Sequence, residues 1–316
     1  MPTCKKCKKP ICSSWNVCPS CGEDVYSILQ SFPCQNCGYS LHSEWISCPM
    51  CGYQTGAIVL SVENYRKINY KQTALLKKHS IEIIEDLNEL NLVLIPMSEY
   101  IMGSNKYPEE RPKHDVYVKS FWMCRYPVTN AEYALFVEES GHEKPAFFDN
   151  KDFSKKKQPA VGIGWDDANA YCAWLSQKKG FTFRLPTEAE WEKAGKGTDD
   201  RKYPWGNNWE LDRCNNNENR SRRTCGVGNF KFGTSPYRLF NMAGNVWEWC
   251  QDWYDKNYYT VSSYTDPQGP SSGKKKIIRG GSWKDNGNAM RVSKRCCADP
   301  GFKADNIGFR FLMEDD

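Results

Sequence analysis

The chain has 316 residues, a formal net charge of +5 and an apolar fraction of 40%, which allow one large domain and a small one. Its acidic and basic residues are interspersed, which excludes the concentrated basic face of a protein that binds nucleic acid along its whole length. No run approaches the ~18–20 apolar residues of a membrane span, and the amino terminus lacks the apolar core of a secretory signal. We therefore expect a cytoplasmic protein with no membrane contact.

The first 56 residues contain an internal repeat with a period of 30 residues. Each copy has two Cys-x2-Cys pairs separated by ten residues. Two thiolates on one tight turn hold one face of a zinc ion, and a second pair completes the tetrahedron. In a reducing compartment such pairs indicate metal ligands rather than disulfides. We predict two tandem zinc ribbons over residues 1–56, similar to the double zinc ribbon of many bacterial proteins, with two zinc ions held by Cys4, Cys7, Cys18, Cys21, Cys34, Cys37, Cys48 and Cys51.

The role of the ribbons is open between two interpretations. The lysines of residues 5–9 suggest nucleic-acid binding, but acidic residues at positions 23, 24 and 44 offset that charge, so a structural or protein-docking role is favoured. Cys12 and His42 also lie between ligand pairs and are alternative ligands, although the equal spacing favours the eight cysteines above. Residues 57–80 are polar with a broken helical pattern, which predicts a partly helical linker.

Residues 81–316 are predicted to form one large domain. Short apolar segments predict strands at residues 81–87, 92–96, 116–123, 181–185, 277–281 and 307–312. Capping residues and closing glycines predict three helices. Their caps and ends are, in chain order, Thr129 and Gly141, then Asp166 or Asp167 and Gly180, then Thr187 and Gly195. Strands and helices do not alternate as a parallel α/β fold requires, so the pattern indicates the α+β class with much irregular structure.

Four motifs in a fixed order carry the most specific information in this chain. They are RLPTEAEWE at residues 184–192, NMAGNVWEW at 241–249, RGGSW at 279–283 and GFR at 308–310. Together they resemble the formylglycine-generating enzyme (sulfatase-modifying factor) family, over about residues 92–312. The resemblance implies a C-type-lectin-like domain, here preceded by the two zinc ribbons.

A cation site is predicted in the NMAGNVWEW segment. Side-chain oxygens and turn carbonyls are the ligands that calcium prefers. The resemblance implies one calcium ion bound by Asn241, Gly244, Val246 and Glu248. The alternative is that Asn241 and Glu248 only satisfy a buried turn. A second calcium site of the family would fall near Asn219, where an asparagine stands in place of the expected carboxylate, and this weakens it.

The oxidases of this family carry two cysteines, five positions apart, in the loop after Gly-Gly-Ser. Here Asp285 and Met290 have that separation, and a carboxylate with a thioether cannot form a reactive dithiolate. Cys296 and Cys297 follow the loop and are interpreted as small apolar packing residues. A related branch uses an iron centre with several histidines, but this chain has four histidines and no His-x3-His spacing. The sequence therefore predicts a binding protein without oxidase activity.

The ligand is predicted to contact the loop that follows Gly-Gly-Ser, and to be a protein, a peptide or another molecule. The candidate contact residues are Trp283, Asp285, Asn286, Asn288, Arg291 and Arg295. Arg279 and Arg310, at the edges of glycine-rich strands, are interpreted as buried ion pairs rather than ligand contacts.

Three alternative functions remain from the sequence. One is a diverged oxidoreductase or related enzyme in the same cleft. Another is a ligand-binding protein whose last loop is varied by a diversity-generating retroelement, by analogy of fold. The third is an adaptor that binds a protein or nucleic acid through the zinc ribbons.

Overall fold

The computed structural model describes residues 31–33, 40–42 and 90–315. The eight predicted zinc ligands, the predicted linker and the predicted strand at residues 81–87 lie outside the described residues. Two short strands within the first 56 residues, β1 (Ser31–Pro33) and β2 (Ser40–His42), pair antiparallel. They flank the third predicted Cys-x2-Cys pair along the chain.

One four-stranded sheet brings the two ends of the large domain together. Its strands run in the order β3-β6-β12-β7, and all of their pairings are antiparallel. They are β3 (Leu92–Ile95), β6 (Phe121–Cys124), β7 (Phe183–Arg184) and β12 (Leu312–Glu314). A separate antiparallel hairpin is formed by β4 (Ser98–Met102) and β5 (His114–Val118). The predicted single strand over residues 116–123 is therefore wrong, because the chain passes from the hairpin to the sheet within it.

A second four-stranded sheet, in the order β10-β9-β8-β11, carries the motifs of the second half. Its strands are β8 (Trp247–Trp253), β9 (Lys276–Arg279), β10 (Cys296–Ala298) and β11 (Ile307–Gly308). The β8–β11 pair is parallel, and the other two pairs are antiparallel. The loop between β9 and β10, residues 280–295, is the predicted ligand loop, and we call it the β9–β10 loop.

Three α-helices lie within the described residues, where the caps predicted them. The helix α1 (Asn130–Ser140) begins with a capping box at Thr129 and ends at Gly141, as predicted. The helix α2 (Trp165–Lys179) ends at Gly180, but it begins after Gly164, whose N–H donates to the Asp167 carboxylate. The helix α3 (Glu188–Lys196) has the predicted capping box at Thr187.

The predicted end of α3 is wrong by two residues. Gly195 lies inside the helix, where a Cβ would come within 3.0 Å of a Val292 methyl group. The glycine therefore allows close packing against the end of the β9–β10 loop, and Gly197 closes the helix instead. A helix-ending glycine and a packing glycine look the same in a sequence.

Large aromatic side chains fill the core between these elements. Trp191 of α3 and Trp249 of β8 are completely buried, and Trp249 Nε1 donates to the Ile163 carbonyl. Short strands, three helices and long irregular connections give the predicted α+β architecture. No helix among the described residues is long and apolar enough to cross a bilayer.

Candidate ligand-binding site

Two glycines start the β9–β10 loop in conformations that other residues rarely adopt. Gly280 has a φ of 100° and Gly281 a φ of 74°. A Cβ on Gly281 would lie 2.9 Å from Met290 Sδ and 3.0 Å from the Ala289 carbonyl oxygen. The loop therefore folds back on its own start, and Gly281 is required by both backbone conformation and space.

Asp285 holds this fold of the loop together. Its Oδ2 accepts hydrogen bonds from Trp247 Nε1 at 3.0 Å and from the Ser282 backbone N–H at 3.1 Å. Met290 is fully buried among aromatic and small residues that include Tyr203 and Cys214. Asp285 and Met290, the two positions with the spacing of the oxidase cysteines, therefore both make contacts that hold the loop.

A buried series of ion pairs fixes both ends of the loop to α3. Arg279 precedes the loop and bonds to Glu188 at 3.2 Å and to Glu192 at 2.5 Å. Arg295 ends the loop and makes two bonds of 2.9 Å with the same Glu188 carboxylate. Lys196 also pairs with Glu192 at 3.2 Å. We call these five residues the buried ion network, and each is at most 2% exposed.

Burial of a carboxylate normally raises its pKa, but Lys196 and Arg279 lower the pKa of Glu192 below its usual value. Asp252 lies beside the network, and its Oδ2 accepts the Glu188 backbone N–H at 2.8 Å. Burial, followed by the repulsion of Glu188, raises the pKa of Asp252 to about 8. At neutral pH Asp252 is therefore mainly protonated and adds little negative charge beside Glu188 and Glu192.

A second buried pair supports the last turn of the loop. Arg291 Nη1 lies 2.6 Å from both carboxylate oxygens of Glu110. The Arg291 guanidinium also stacks 3.7 Å from the centre of the Tyr107 ring. Asn288 joins this group, because its Oδ1 accepts from the Tyr107 hydroxyl at 2.9 Å and from Arg291 Nε at 3.2 Å.

The structure divides the six predicted contact residues into three groups. Arg291 and Arg295 are buried in ion pairs, so their guanidinium groups support the loop. Trp283 and Asp285 are half-buried, and Trp283 packs on Phe153 with 5.9 Å between the ring centres. Asn286 and Asn288 are exposed at the tip of the loop. These two asparagines are the predicted residues that a ligand reaches directly.

Aromatic residues border the loop tip. A Cβ on Gly287 would lie 2.5 Å from the Trp209 ring, so this ring packs directly on the loop backbone. Trp209 is half-buried and adjoins Trp205, which stacks on Tyr203 with 5.3 Å between ring centres. Rings in this position offer apolar area next to the exposed amides of the loop.

The two cysteines after the loop have no features of a reactive pair. They are adjacent residues of β10, so their side chains point to opposite faces of the sheet. Burial raises the pKa of both the Cys296 thiol and the Cys297 thiol, which disfavours the thiolate that nucleophilic or metal chemistry needs.

The two predicted calcium ligands with side-chain oxygens, Asn241 and Glu248, already have protein partners. Glu248 makes two bonds of 2.6 and 2.7 Å with the Arg310 guanidinium and a third of 2.7 Å with Trp191 Nε1. Asn241 Oδ1 accepts from Asn245 Nδ2 at 2.8 Å. These side-chain oxygens do not form an open cage for a cation and agree with the alternative of a buried polar turn. Calcium binding here stays a prediction.

The region of the family's second calcium site is occupied by amide groups. Asn216 Nδ2 and Asn219 Nδ2 both donate to the carbonyl oxygens of Leu211 and Cys214, at 2.8 to 3.2 Å. The two amides thus satisfy a pair of carbonyls that would otherwise face a cation. Among the described residues, no three His, Cys, Asp or Glu side chains form a metal-binding group.

The ion-pair interpretation of Arg279 and Arg310 is confirmed, and both side chains are fully buried. The partners Glu188 and Glu192 were missed by sequence reasoning, although their spacing of four residues in a helix places them on one face. Glu110 and Tyr107 were also missed, because no local pattern connects them to a loop about 180 residues later.

The chain matches the sulfatase-modifying factor enzyme 1-like domain over residues 81–315. It is 33% identical to the serine/threonine-protein kinase pkn1 of Chlamydia caviae across 69% of this chain, but this covers only 37% of the kinase. It is 30% identical to the formylglycine-generating enzyme of Streptomyces coelicolor, covering 71% of this chain and 89% of that enzyme.

Two solved structures share the fold of the large domain. PvdO from Pseudomonas aeruginosa superposes with a TM-score of 0.62 at 28% identity, covering 71% of this chain and 94% of PvdO. Variable protein 1 of Treponema denticola superposes with a TM-score of 0.60 at 26% identity, covering 70% of this chain and 94% of that protein.

Proposed function

The chain belongs to the sulfatase-modifying factor enzyme 1-like family, and from that premise we propose that it is a non-catalytic binding protein. The β9–β10 loop is the proposed ligand-contact segment. Its exposed Asn286 and Asn288, with the adjoining rings of Trp205 and Trp209, form the contact surface. The ligand is a protein, a peptide or another molecule with polar groups that pair with the asparagine amides.

One observation carries this proposal. Both ends of the loop are fixed by buried ion pairs, while its tip remains exposed and contains no thiol. Copper-dependent oxidase chemistry of this family needs two thiolates, and here those positions are taken by the carboxylate of Asp285 and the thioether of Met290. A rigid base with an exposed polar tip supports binding, because few groups must be ordered when a ligand arrives.

The remaining parts of the proposal concern metals and location. We propose that the ribbons of residues 1–56 bind two zinc ions and join the domain to a protein partner, that the NMAGNVWEW turn binds one calcium ion, and that the protein is cytoplasmic. The spacing of the eight cysteines supports the zinc part.

Two experiments test the function. The purified protein is loaded with copper and incubated with a cysteine-containing peptide, and the products are analysed by mass spectrometry. We expect unchanged peptide, and formation of formylglycine would refute the non-catalytic proposal. The protein is also applied to peptide and glycan arrays beside two variants: Asn286→Ala with Asn288→Ala, and the remote control Lys274→Glu with Lys275→Glu. We expect signals that the loop variant loses and the control keeps.

A further inference from the structure

Two exposed basic segments lie side by side next to the β9–β10 loop. The first is a tight turn at residues 155–158, closed by a 2.9 Å bond from the Gln158 N–H to the Lys155 carbonyl. The second is the irregular segment at residues 220–223. We call their five exposed cations, which have no ion pair within residues 90–315, the basic face; they are Lys155, Lys156, Lys157, Arg220 and Arg222.

Three hydrogen bonds fix the two segments to each other. Gln158 Nε2 donates to the Thr224 carbonyl at 2.7 Å, and the Val227 N–H donates to the Lys157 carbonyl at 2.8 Å. Arg223 pairs with Asp152 at 2.9 Å. Gln158 and Thr224 are buried, so the junction is part of the fold, and the backbone segments that carry the cations keep a fixed relation.

The cations of the basic face are exposed, and the Glu218 carboxylate, two residues before Arg220, is a neighbouring negative charge. Ser221 is anchored by its hydroxyl, which donates to Asn215 Oδ1 and Arg223 O, while its neighbours Arg220 and Arg222 are exposed. None of the five cations has an ion pair or a side-chain hydrogen bond within residues 90–315. The nearby carboxylate of Asp152 is already used by Arg223.

The basic face continues into the ligand loop. Trp283 of the loop packs on Phe153, two residues before the basic turn. The Asn217 N–H donates to the Asp285 carbonyl at 3.0 Å, and Glu218 accepts from the Gly287 N–H at 3.0 Å. Both basic segments are thus bonded or packed to the same loop, and a ligand at the loop tip that extends along this side meets the five positive charges of the basic face.

We propose that the ligand of the β9–β10 loop is a protein segment rich in Asp and Glu, whose carboxylates pair with the basic face. This inference rests on the proposed function and names the class of ligand. Carboxylates match clustered lysines and arginines at close range. Single-stranded nucleic acid needs open aromatic faces for base stacking. Here Phe153 packs on Trp283, and the Lys284 ammonium lies 4.9 Å from the centre of the same ring. At the loop tip, Trp205 stacks on Tyr203 and Trp209 packs on the Gly287 backbone, so one face of each ring is already used.

The test uses a fluorescein-labelled poly-L-glutamate peptide and fluorescence anisotropy with the full chain at low salt. Lys156→Glu with Lys157→Glu removes two cations of the basic face, while Lys274→Glu with Lys275→Glu makes the same change of net charge elsewhere. All four side chains are exposed, so both variants should fold. We expect the first variant to bind about tenfold more weakly and the control to stay within about twofold of the unaltered chain.

Equal losses in the two variants would overturn the inference, because net charge alone would then explain binding. A mixed-sequence DNA strand of the same charge is the second probe. If it binds more tightly than poly-glutamate, and the Lys156 and Lys157 changes weaken that binding, the inference is also overturned, because the partner would be a nucleic acid. The function and the inference fail separately. Array ligands that depend on Asn286 and Asn288, without poly-glutamate binding, would retain the function and remove the inference.

Discussion

The buried ion network makes a quantitative prediction for Glu188→Gln. Glu188 is 2% exposed and is the carboxylate partner of Arg295, whereas Arg279 keeps a second partner in Glu192. The variant therefore leaves one buried guanidinium without a carboxylate. Breaking a buried pair in this way costs about 3–5 kcal/mol. For a domain of this size each kcal/mol lowers Tm by about 2–4 °C, so we expect a decrease of about 6–20 °C.

Asp252 should reduce this loss. Its pKa is raised to about 8 by burial first and by Glu188 second. When Glu188 becomes neutral, Asp252 ionises more easily and supplies a negative charge near Arg295. We therefore expect Glu188→Gln to fall in the lower half of the range. The double variant Glu188→Gln with Asp252→Asn has no carboxyl group at position 252 to ionise, so it should be less stable than Glu188→Gln alone.

Thermal unfolding followed by circular dichroism at pH 7 measures these differences. The matched control is Glu139→Gln, which removes a carboxylate that pairs with Lys178 at 2.5 Å on the surface, where both side chains are about a third exposed. Such a pair contributes at most about 1 kcal/mol. If Glu188→Gln and Glu139→Gln lowered Tm equally, the buried network would not stabilise the base of the loop.

Three further predictions concern protonation and metals. Because the pKa of Asp252 lies above its unfolded value of 3.8, the folded state binds more protons between about pH 4 and 8, and stability falls as pH rises through that window. Asp252→Asn should therefore exceed the unaltered chain in Tm by a margin that grows from pH 5 to pH 8, and a constant margin would contradict this. Elemental analysis by mass spectrometry should find two zinc ions and one calcium ion per chain. If calcium is absent, the Arg310 guanidinium that pairs with Glu248 takes the place of the cation. With a chelator present, Asn219→Asp should lower Tm, because its carboxylate would repel the two carbonyls that the amide now satisfies. Added calcium should raise the Tm of this variant again, because carboxylate and carbonyl oxygens are the ligands that calcium prefers.

Local chemistry made part of the fold predictable. The capping boxes at Thr129 and Thr187 depend on residues three positions apart, and each helix begins at the residue that follows its predicted cap. The strand β8 was not predicted, because its sequence WEWCQDW is buried on both faces and shows no alternation. Of its residues, Glu248 was singled out as a predicted calcium ligand, and in the structure Glu248 pairs with Arg310.

The position of the β9–β10 loop was predictable from the sequence, but the contacts that hold it were not. The Gly-Gly-Ser motif located the loop, and residue type alone identified the missing thiols. The contacts that hold the loop join residues far apart in sequence, as in the pair of Arg295 with Glu188 across 107 positions. No periodicity reports such a pairing, and an arginine in a loop looks the same whether it meets a ligand or a buried carboxylate.

These contacts separate the parts of the β9–β10 loop that hold the fold from the part that is exposed. Stability is concentrated at the ends of the loop, where Arg279 and Arg295 meet α3, and in its interior, where Asp285 bonds to Trp247. The exposed side chain of Asn286 accepts only a local bond from the Asn288 N–H. A change at Asn286 therefore alters the surface that a ligand meets and leaves the buried pairs intact. Asn286 is thus exposed and free of buried contacts, whereas Asn288, which bonds to Tyr107 and Arg291, also supports the loop.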